Sequence, residues 1–299
     1  MIDNKSKSVL NTPTHSSSVN VEKPRKSYGS STTSEAKEAS IDSKTEADPL
    51  DTGADFSTIS DLQGPHYLDI LAKLHRVLNP KTYLEIGTNF GDSLKIATCA
   101  SIAIDPEFII NENVIGKKPK CNFMQMGSDD FFQQHNPEHI FGSKVDFAFL
   151  DGMHWYEYLL RDFMNIEKFC RPNSVIAVHD CLPVDPFVAR REATDARLQP
   201  NSKHPNWWAG DVWKAVAILL KARPDLRIQA FDASPTGLVL ITNLDPTNTA
   251  LSDNYFELVE SMRLAEPQDG SLAQFFGEIG ITPCSTIDNW SEISHYFWL

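Results

Sequence analysis

The sequence lacks the features that mark secreted and membrane proteins. Its five cysteines are odd in number and include no CxxC pair, so neither a disulfide framework nor a thiolate zinc site is predicted. The apolar stretch at the start of the sequence is too short, and too often interrupted by polar residues, to be a secretory signal. No apolar run approaches the roughly 20 residues that span a bilayer. These absences predict a soluble, cytoplasmic protein with no membrane partner.

Positive charge is also scarce. Acidic residues number 40 against 27 basic ones, which gives a formal net charge of -13. A protein that binds a nucleic-acid backbone needs a basic surface to neutralise phosphates. The composition therefore predicts no nucleic-acid partner.

The first 60 residues differ in composition from the rest. Residues 1–50 contain 16 Ser or Thr but only 12 hydrophobic residues, too few to offset the chain entropy lost on folding. We predict a disordered polar tail over 1–60, a globular domain over 61–249, and a C-terminal helical elaboration over 250–299 that packs on it.

From about residue 64, short apolar runs alternate with amphipathic stretches, which is typical of a parallel sheet with crossover helices. The sequence predicts an α/β fold with a seven-stranded, doubly wound, mostly parallel sheet. The last two strands are joined by a link too short for a parallel crossover, so the final strand should be antiparallel. The predicted strands cover 82–87, 101–105, 121–126, 145–151, 174–180, 226–232 and 237–242.

A glycine-containing turn follows the first predicted strand. Glu85, Gly87 and Gly91 form an E-x-G-x-x-x-G arrangement where the strand leads into a helix. Backbone N–H groups at such a turn attract carboxylates or phosphates. The spacing is not the G-x-G-x-x-G of dinucleotide sites, and an acidic residue at the strand end suits a cationic ligand better. A tight turn without a ligand is the alternative.

This motif resembles the class I S-adenosylmethionine-dependent methyltransferases. The resemblance implies that Gly87, Asn89 and Gly91 line the methionine half of the cofactor and that Glu85 supports its amino end. It also implies that Asp105, at the end of the second strand, accepts hydrogen bonds from the ribose hydroxyls. Taken alone, Asp105 is more typical of a turn or cap residue before Pro106, and its separation from the glycine loop favours the ribose role.

Two further residues follow the third strand. Ser128 and Asp129 stand where the family places adenine contacts, but either could instead cap a helix that begins near Asp130.

Strands four and five end in carboxylates with histidines close by. Asp151 is followed by His154, and His179 directly precedes Asp180. Adjacent parallel strands would bring both carboxylates to one edge of the sheet, and two close anions need a cation or a shared proton. Helix capping explains each aspartate singly, whereas the pair with its histidines favours a divalent metal or an acid–base site.

The pattern Asp-Gly-x-His followed by His-Asp resembles the metal-assisted O-methyltransferases that act on sugar hydroxyls of macrolide-type natural products, over roughly residues 64–245. It implies that Asp151 and Asp180 hold the ion and that His154 is the base. His179 stands where the sugar-type relatives have Glu; it is a third candidate ligand, a residue that supports the ligands, or a buried histidine without a role. Carboxylates favour magnesium, and an added imidazole favours manganese, iron or zinc.

The resemblance implies a hydroxylated small-molecule acceptor, one that contains a sugar, with S-adenosyl-L-methionine as cofactor and magnesium or manganese as metal. No N-P-P-Y-type loop is present, which argues against an amide or base nitrogen as acceptor. Homo-oligomerisation is left open. The rival predictions are a nonenzymatic cofactor-binding or scaffold protein, and an NAD-dependent oxidoreductase.

A long segment after the fifth strand is predicted to cover the substrate, because it exceeds ordinary connections between strand and helix. Its Arg190, Arg191, Arg197, Trp207 and Trp208 could hold a sugar or an acidic acceptor, or could be solvated and anchoring groups. Asp211, just beyond it, is predicted to cap the next helix.

Overall fold

The computed structural model describes residues 60–193, 202–267, 270–287 and 293–294. The predicted tail therefore lies almost entirely outside the described residues, as do Arg197 and the chain end. The strands are β1 (Thr82–Ile86), β2 (Ala100–Ile104), β3 (Cys121–Met124), β4 (Val145–Leu150), β5 (Cys170–His179), β6 (Arg227–Phe231), β7 (Leu238–Thr242) and β8 (Ile281–Thr282).

The strands form one sheet in the order β3-β2-β1-β4-β5-β7-β6-β8. Strands β1 to β5 are parallel, and β7 runs antiparallel to both β5 and β6. The doubly wound, mostly parallel fold with an antiparallel seventh strand is confirmed.

The strand count of seven was too low. The eighth strand is a two-residue segment that pairs with β6 in parallel, too short to produce a periodic pattern in the sequence. It lies within the region predicted to be helical, so that region also extends the sheet. The proposed division at residues 249 and 250 stays a prediction.

Helices cover both faces of the sheet. They are α1 (Tyr67–Leu78), α2 (Asp92–Ile96), α3 (Ser128–Gln134), α4 (Pro137–Phe141), α5 (Tyr156–Glu167), α6 (Trp213–Ala222), α7 (Ala250–Asp253), α8 (Tyr255–Arg263) and α9 (Ser271–Ile279), and a 3-10 turn covers Cys284–Ile287. No helix among the described residues is both long and apolar enough to cross a membrane.

The central strands are buried on both faces, which explains their continuous apolar sequences. In β4, Phe147 and Phe149 pack in one apolar cluster, whereas Ala148 and Leu150 pack in the other. Successive side chains of a strand point to opposite faces, so one short strand contributes to both halves of the core.

Parallel pairing aligns the carboxyl ends of the inner strands. Ile86 pairs with both Ile104 and Leu150, and Leu150 pairs with Val178. The turns that follow β1, β2, β4 and β5 therefore lie at one edge of the sheet, where doubly wound folds place their ligands.

Candidate active site

A cavity of about 1030 Å³ lies at this edge of the sheet. Its walls come from the turns after the first five strands, with additional side chains from α1 and from the segment before α6. Most of the site residues predicted from the sequence line it, namely Gly87, Asn89, Gly91, Asp105, Ser128, Asp129, Asp151, His154, His179 and Asp180. The structure thus gathers the predicted cofactor and carboxylate groups into one space.

Only glycine fits at position 87, because the backbone at the end of β4 lies directly against it. Its φ is +87°, and a Cβ atom there would lie 1.9 Å from the carbonyl oxygen of Asp151. No side chain fits at that distance. The glycine therefore allows the loop after β1 to lie directly against the end of β4.

Asp105 connects two turns at the cavity wall. Its Oδ2 accepts a hydrogen bond of 2.8 Å from the N–H of Asn89, and its Oδ1 accepts one of 2.8 Å from the N–H of Glu107. The second contact is the turn contact that the sequence left open. Each carboxylate oxygen can still accept a further hydrogen bond, so the turn role and a ligand role are compatible.

Glu85 is the one predicted cofactor residue that the structure keeps out of the cavity lining. It is 0% exposed, and the hydroxyl of Tyr83 donates a 2.6 Å hydrogen bond to its Oε2. Burial raises the pKa of Glu85 to about 7, against the opposite effect of the hydrogen bond from Tyr83. Glu85 is therefore paired with Tyr83 and lies outside the cavity lining.

Ser128 and Asp129 begin α3 at the far end of the cavity. Gly127 occupies the cap position, so the helix starts two residues before the predicted start. The Asp129 carboxylate faces the Arg161 guanidinium, with contacts of 2.8–3.0 Å, and the Ser128 side chain hydrogen-bonds to buried Asp162. Both side chains therefore have protein partners as well as a place in the cavity wall.

The carboxylates after β4 and β5 meet, as predicted. Nε2 of His154 lies 3.3 Å from Oδ2 of Asp180 and 3.8 Å from Oδ1 of Asp151. Asp180 has a left-handed backbone with φ of +60°, and the Thr236 hydroxyl donates a hydrogen bond to its Oδ1.

His179 lies beneath the two carboxylates. Its Nδ1 is 3.1 Å from Oδ1 of Asp151 and 3.5 Å from Oδ1 of Asp180. Burial lowers the pKa of His179, but the charges of Asp180 and Asp151 outweigh burial and raise it to about 9. In turn, His179 holds the pKa of Asp151 below its usual value despite burial. Nδ1 of His179 is thus placed to donate a hydrogen bond to Asp151.

Each histidine also contacts an aromatic ring. The ring of Tyr67, at the start of α1, stacks on His179 with centroids 3.8 Å apart, and the indole of Trp208 stacks on His154 at 4.8 Å. Both aromatic residues line the cavity. Sequence reasoning missed Tyr67, because a single tyrosine at a helix start far from the carboxylate motifs carries no signal.

The donor set suits a divalent ion. One donor atom from each of Asp151, His154 and Asp180 can be chosen so that all lie within 4.8 Å of one another. The two carboxylates match magnesium or manganese, and the imidazole beside them could serve either as a third ligand or as a base. His179 is not one of these three residues, and it is connected to them through its contact with Asp151. Its predicted role as a ligand stays a prediction.

The segment after β5 returns to the site, but its arginines point elsewhere. Arg191 forms ion pairs with Glu157 and Asp211, at 2.9 Å and 3.0 Å, and lies over the Trp155 ring. The guanidinium of Arg190 lies over the Phe187 ring. Neither arginine lines the cavity among the described residues. Their contacts favour the anchoring alternative.

The predicted cap role of Asp211 on α6 is wrong. That helix begins at Trp213 with Val212 at its cap position and no side-chain cap. Asp211 is 2% exposed and instead accepts a hydrogen bond from the N–H of Tyr156, at the start of α5. An aspartate shortly before one helix can cap another that lies next to it in space, which sequence spacing does not reveal.

Comparison with known proteins identifies the centre of the chain. Residues 84–181 match a family model described as a methyltransferase domain. The match covers about a third of the chain. The match runs from β1 to just beyond β5, so it includes the glycine loop and both strand-end aspartates. The match agrees with the prediction of a class I S-adenosylmethionine-dependent methyltransferase for this part of the chain.

Solved structures with a similar fold include three O-methyltransferases. They are TomG from Streptomyces achromogenes in complex with SAM (18% identity, 59% of this chain and 78% of that chain, TM-score 0.40), an O-methyltransferase from Bacillus cereus in complex with SAH (15%, 63% and 86%, 0.40), and a putative O-methyltransferase from Klebsiella pneumoniae (15%, 67% and 91%, 0.42). A search of curated proteins found no match. The methyltransferase assignment depends on the family match and the sheet, not on these similarities.

Proposed function

We propose that the protein transfers a methyl group from S-adenosylmethionine to a hydroxyl of a small, sugar-containing molecule, with Asp151 and Asp180 as ligands of a divalent ion and His154 as the base. The observation that supports this most is the single cavity. It contains the glycine loop and Asp105 on one side and the cluster of Asp151, His154 and Asp180 on the other.

The chemistry needs alignment and removal of a proton. The sulfonium is already a strong electrophile, whereas a protonated alcohol is a poor nucleophile. A divalent ion would lower the pKa of a bound hydroxyl. Nε2 of His154, next to both carboxylates, is placed to take the proton, and His179 orients Asp151 by donating a hydrogen bond to it.

Cofactor binding is tested by calorimetry with S-adenosylhomocysteine. The wild type should bind, and Asp105→Ala should weaken binding about tenfold or more, because hydrogen bonds to a charged group contribute about 1.5–3 kcal/mol each. Glu257→Gln, on the exposed first turn of α8, is the control and should leave the affinity unchanged. A wild type that shows no binding at millimolar ligand would remove the cofactor assignment and with it the proposed function.

The metal assignment is tested separately. Asp151→Ala and Asp180→Ala should each abolish the dependence of methyl transfer on added Mg²⁺ or Mn²⁺, with S-adenosylhomocysteine affinity within about threefold of wild type because the cofactor loop is intact. Asp130→Ala removes a charge from the same cavity wall outside the cluster and should keep the metal dependence. Transfer by the wild type that is insensitive to chelation would contradict the metal assignment.

Acceptor class is tested with radiolabelled cofactor and a panel of alcohols, glycosides, phenols and amines. Label should appear on glycoside hydroxyls. Label on nitrogen alone would contradict the O-methyltransferase proposal. Deleting residues 1–60 distinguishes the scaffold alternative, because transfer should survive the deletion if the domain is the catalyst.

A further inference from the structure

The segment between β5 and α6 is fixed against the backbone of His154. The N–H of Asp211 donates a 3.1 Å hydrogen bond to the carbonyl oxygen of His154. Gly210 has φ of +68°, and a Cβ atom there would lie 1.9 Å from that same oxygen. The chain therefore passes in direct contact with His154, which places Trp208, two residues before Gly210, beside the imidazole.

The indole of Trp208 makes a hydrogen bond through its nitrogen and a stacking contact through its ring. Its Nε1 donates a 2.9 Å hydrogen bond to the carbonyl oxygen of Arg190, and its ring lies on the His154 imidazole at 4.8 Å with an interplanar angle of 27°. Trp208 also lines the cavity. One side chain thus contacts the backbone of the segment after β5, the imidazole and the cavity.

Among the described residues, the imidazole of His154 has no hydrogen bond at its second ring nitrogen. Histidines in active sites are commonly oriented by a hydrogen bond at the second ring nitrogen. Nδ1 of His154 is buried and has no hydrogen-bond partner among the described residues. The ring contact with the indole is therefore available to orient the imidazole with Nε2 toward Asp151 and Asp180.

The neighbouring tryptophan has a different environment. Trp207 stacks on His204, with centroids 3.8 Å apart and an interplanar angle of 8°, and it does not line the cavity. His204 in turn contacts Asp61 at 3.0 Å. The two adjacent tryptophans thus provide a matched pair, one on the site histidine and one on a histidine outside it.

We propose that Trp208 is a positioning residue that fixes the plane of the His154 imidazole and forms the wall against which a ring-bearing acceptor packs. This inference rests on the proposed function. A flat indole face suits the apolar face of a sugar or aromatic ring. Loss of the indole should disturb both the alignment of the base and the binding of the acceptor, with no effect on cofactor binding.

The test compares Trp208→Phe, Trp208→Leu and Trp207→Leu with the full-length wild type. Trp208→Leu should lower kcat about 100-fold, since a small misplacement of a reacting group costs about that factor, and should raise KM for the acceptor. Trp208→Phe keeps a stacking ring and should recover most of kcat. Trp207→Leu should leave both parameters within about threefold of wild type.

Two measurements separate positioning from loss of structure. S-adenosylhomocysteine affinity should be unchanged in all variants. The His154 ring protons, assigned by their loss in His154→Gln, should shift in NMR spectra of Trp208→Leu but not of Trp207→Leu, because the ring current of the indole is removed. If the wild type methylates an acceptor and Trp208→Leu leaves kcat and KM unchanged, the inference is overturned. If the wild type methylates none, the proposed function fails, and unchanged His154 shifts in Trp208→Leu would still overturn the inference.

Discussion

Replacement of Asp162 by Asn should make the protein more stable at neutral pH. Asp162 is on α5, is 3% exposed, and has an Oδ1 atom without a hydrogen-bond partner among the described residues. Burial raises its pKa from 3.8 to about 7, although a hydrogen bond from Ser128 acts in the opposite direction. Ionisation of Asp162 therefore destabilises the folded protein.

The sign and size follow from proton linkage. The unfolded chain ionises Asp162 near pH 3.8 and the folded chain near pH 7, so the stability contributed by the protonated group is full below pH 3.8 and is lost as the pH rises toward 7. A shift of one unit corresponds to 1.36 kcal/mol, which gives about 4 kcal/mol as an upper limit. Asparagine has nearly the same shape and carries no charge.

Urea unfolding at pH 4.5 and pH 8 measures the effect. The free energy of unfolding of Asp162→Asn should exceed the wild-type value by at most about 1 kcal/mol at pH 4.5 and by roughly 1–3 kcal/mol more at pH 8, up to about 4 kcal/mol in total. The control Glu257→Gln alters an exposed carboxylate and should stay within about 0.5 kcal/mol of wild type at both pH values. A difference between Asp162→Asn and wild type that is the same at both pH values would refute the reasoning.

Two further predictions concern stability. Gly87→Ala should destabilise the domain and abolish S-adenosylhomocysteine binding in calorimetry, because the added Cβ would collide with the Asp151 carbonyl; a folded variant that binds normally would contradict this. Arg223→Ala should lower the free energy of unfolding by about 3–5 kcal/mol, since it leaves buried Glu167 without its ion pair of 2.8 Å. The control Lys221→Ala removes an exposed contact of 3.9 Å and should change the free energy of unfolding by less than about 1 kcal/mol. Equal losses of stability in Arg223→Ala and Lys221→Ala would contradict this prediction.

The fold could be predicted because its signals are local. The inner strands are continuous apolar runs, and the short link after Phe231 leaves only an antiparallel return for β7. The site aspartates could be predicted for the same reason, since Asp151 and Asp180 directly follow strands and parallel strands end at a common edge. A strand of two residues, such as Ile281–Thr282, gives no such signal.

The position of Glu85 shows where local reasoning ends. Side chains two residues apart on a strand share a face, so Glu85 lies beside Tyr83 and accepts its hydrogen bond. The motif alone identifies the residue type at the strand end but not which side the carboxylate takes. The same limit applies to Trp208, whose contact with His154 joins segments more than 50 residues apart.

Hydrogen bonds join the ends of three strands behind the cavity. The N–H of Gly87 donates to the carbonyl oxygen of Ile104, and the N–H of Asp151 donates to that of Ile86. Under the proposed function, main-chain hydrogen bonds thus fix the backbone of the cofactor loop relative to the backbone of Asp151, and mutation of side chains does not remove them. Residues around the cavity mouth can then change to admit new alcohols without moving this backbone.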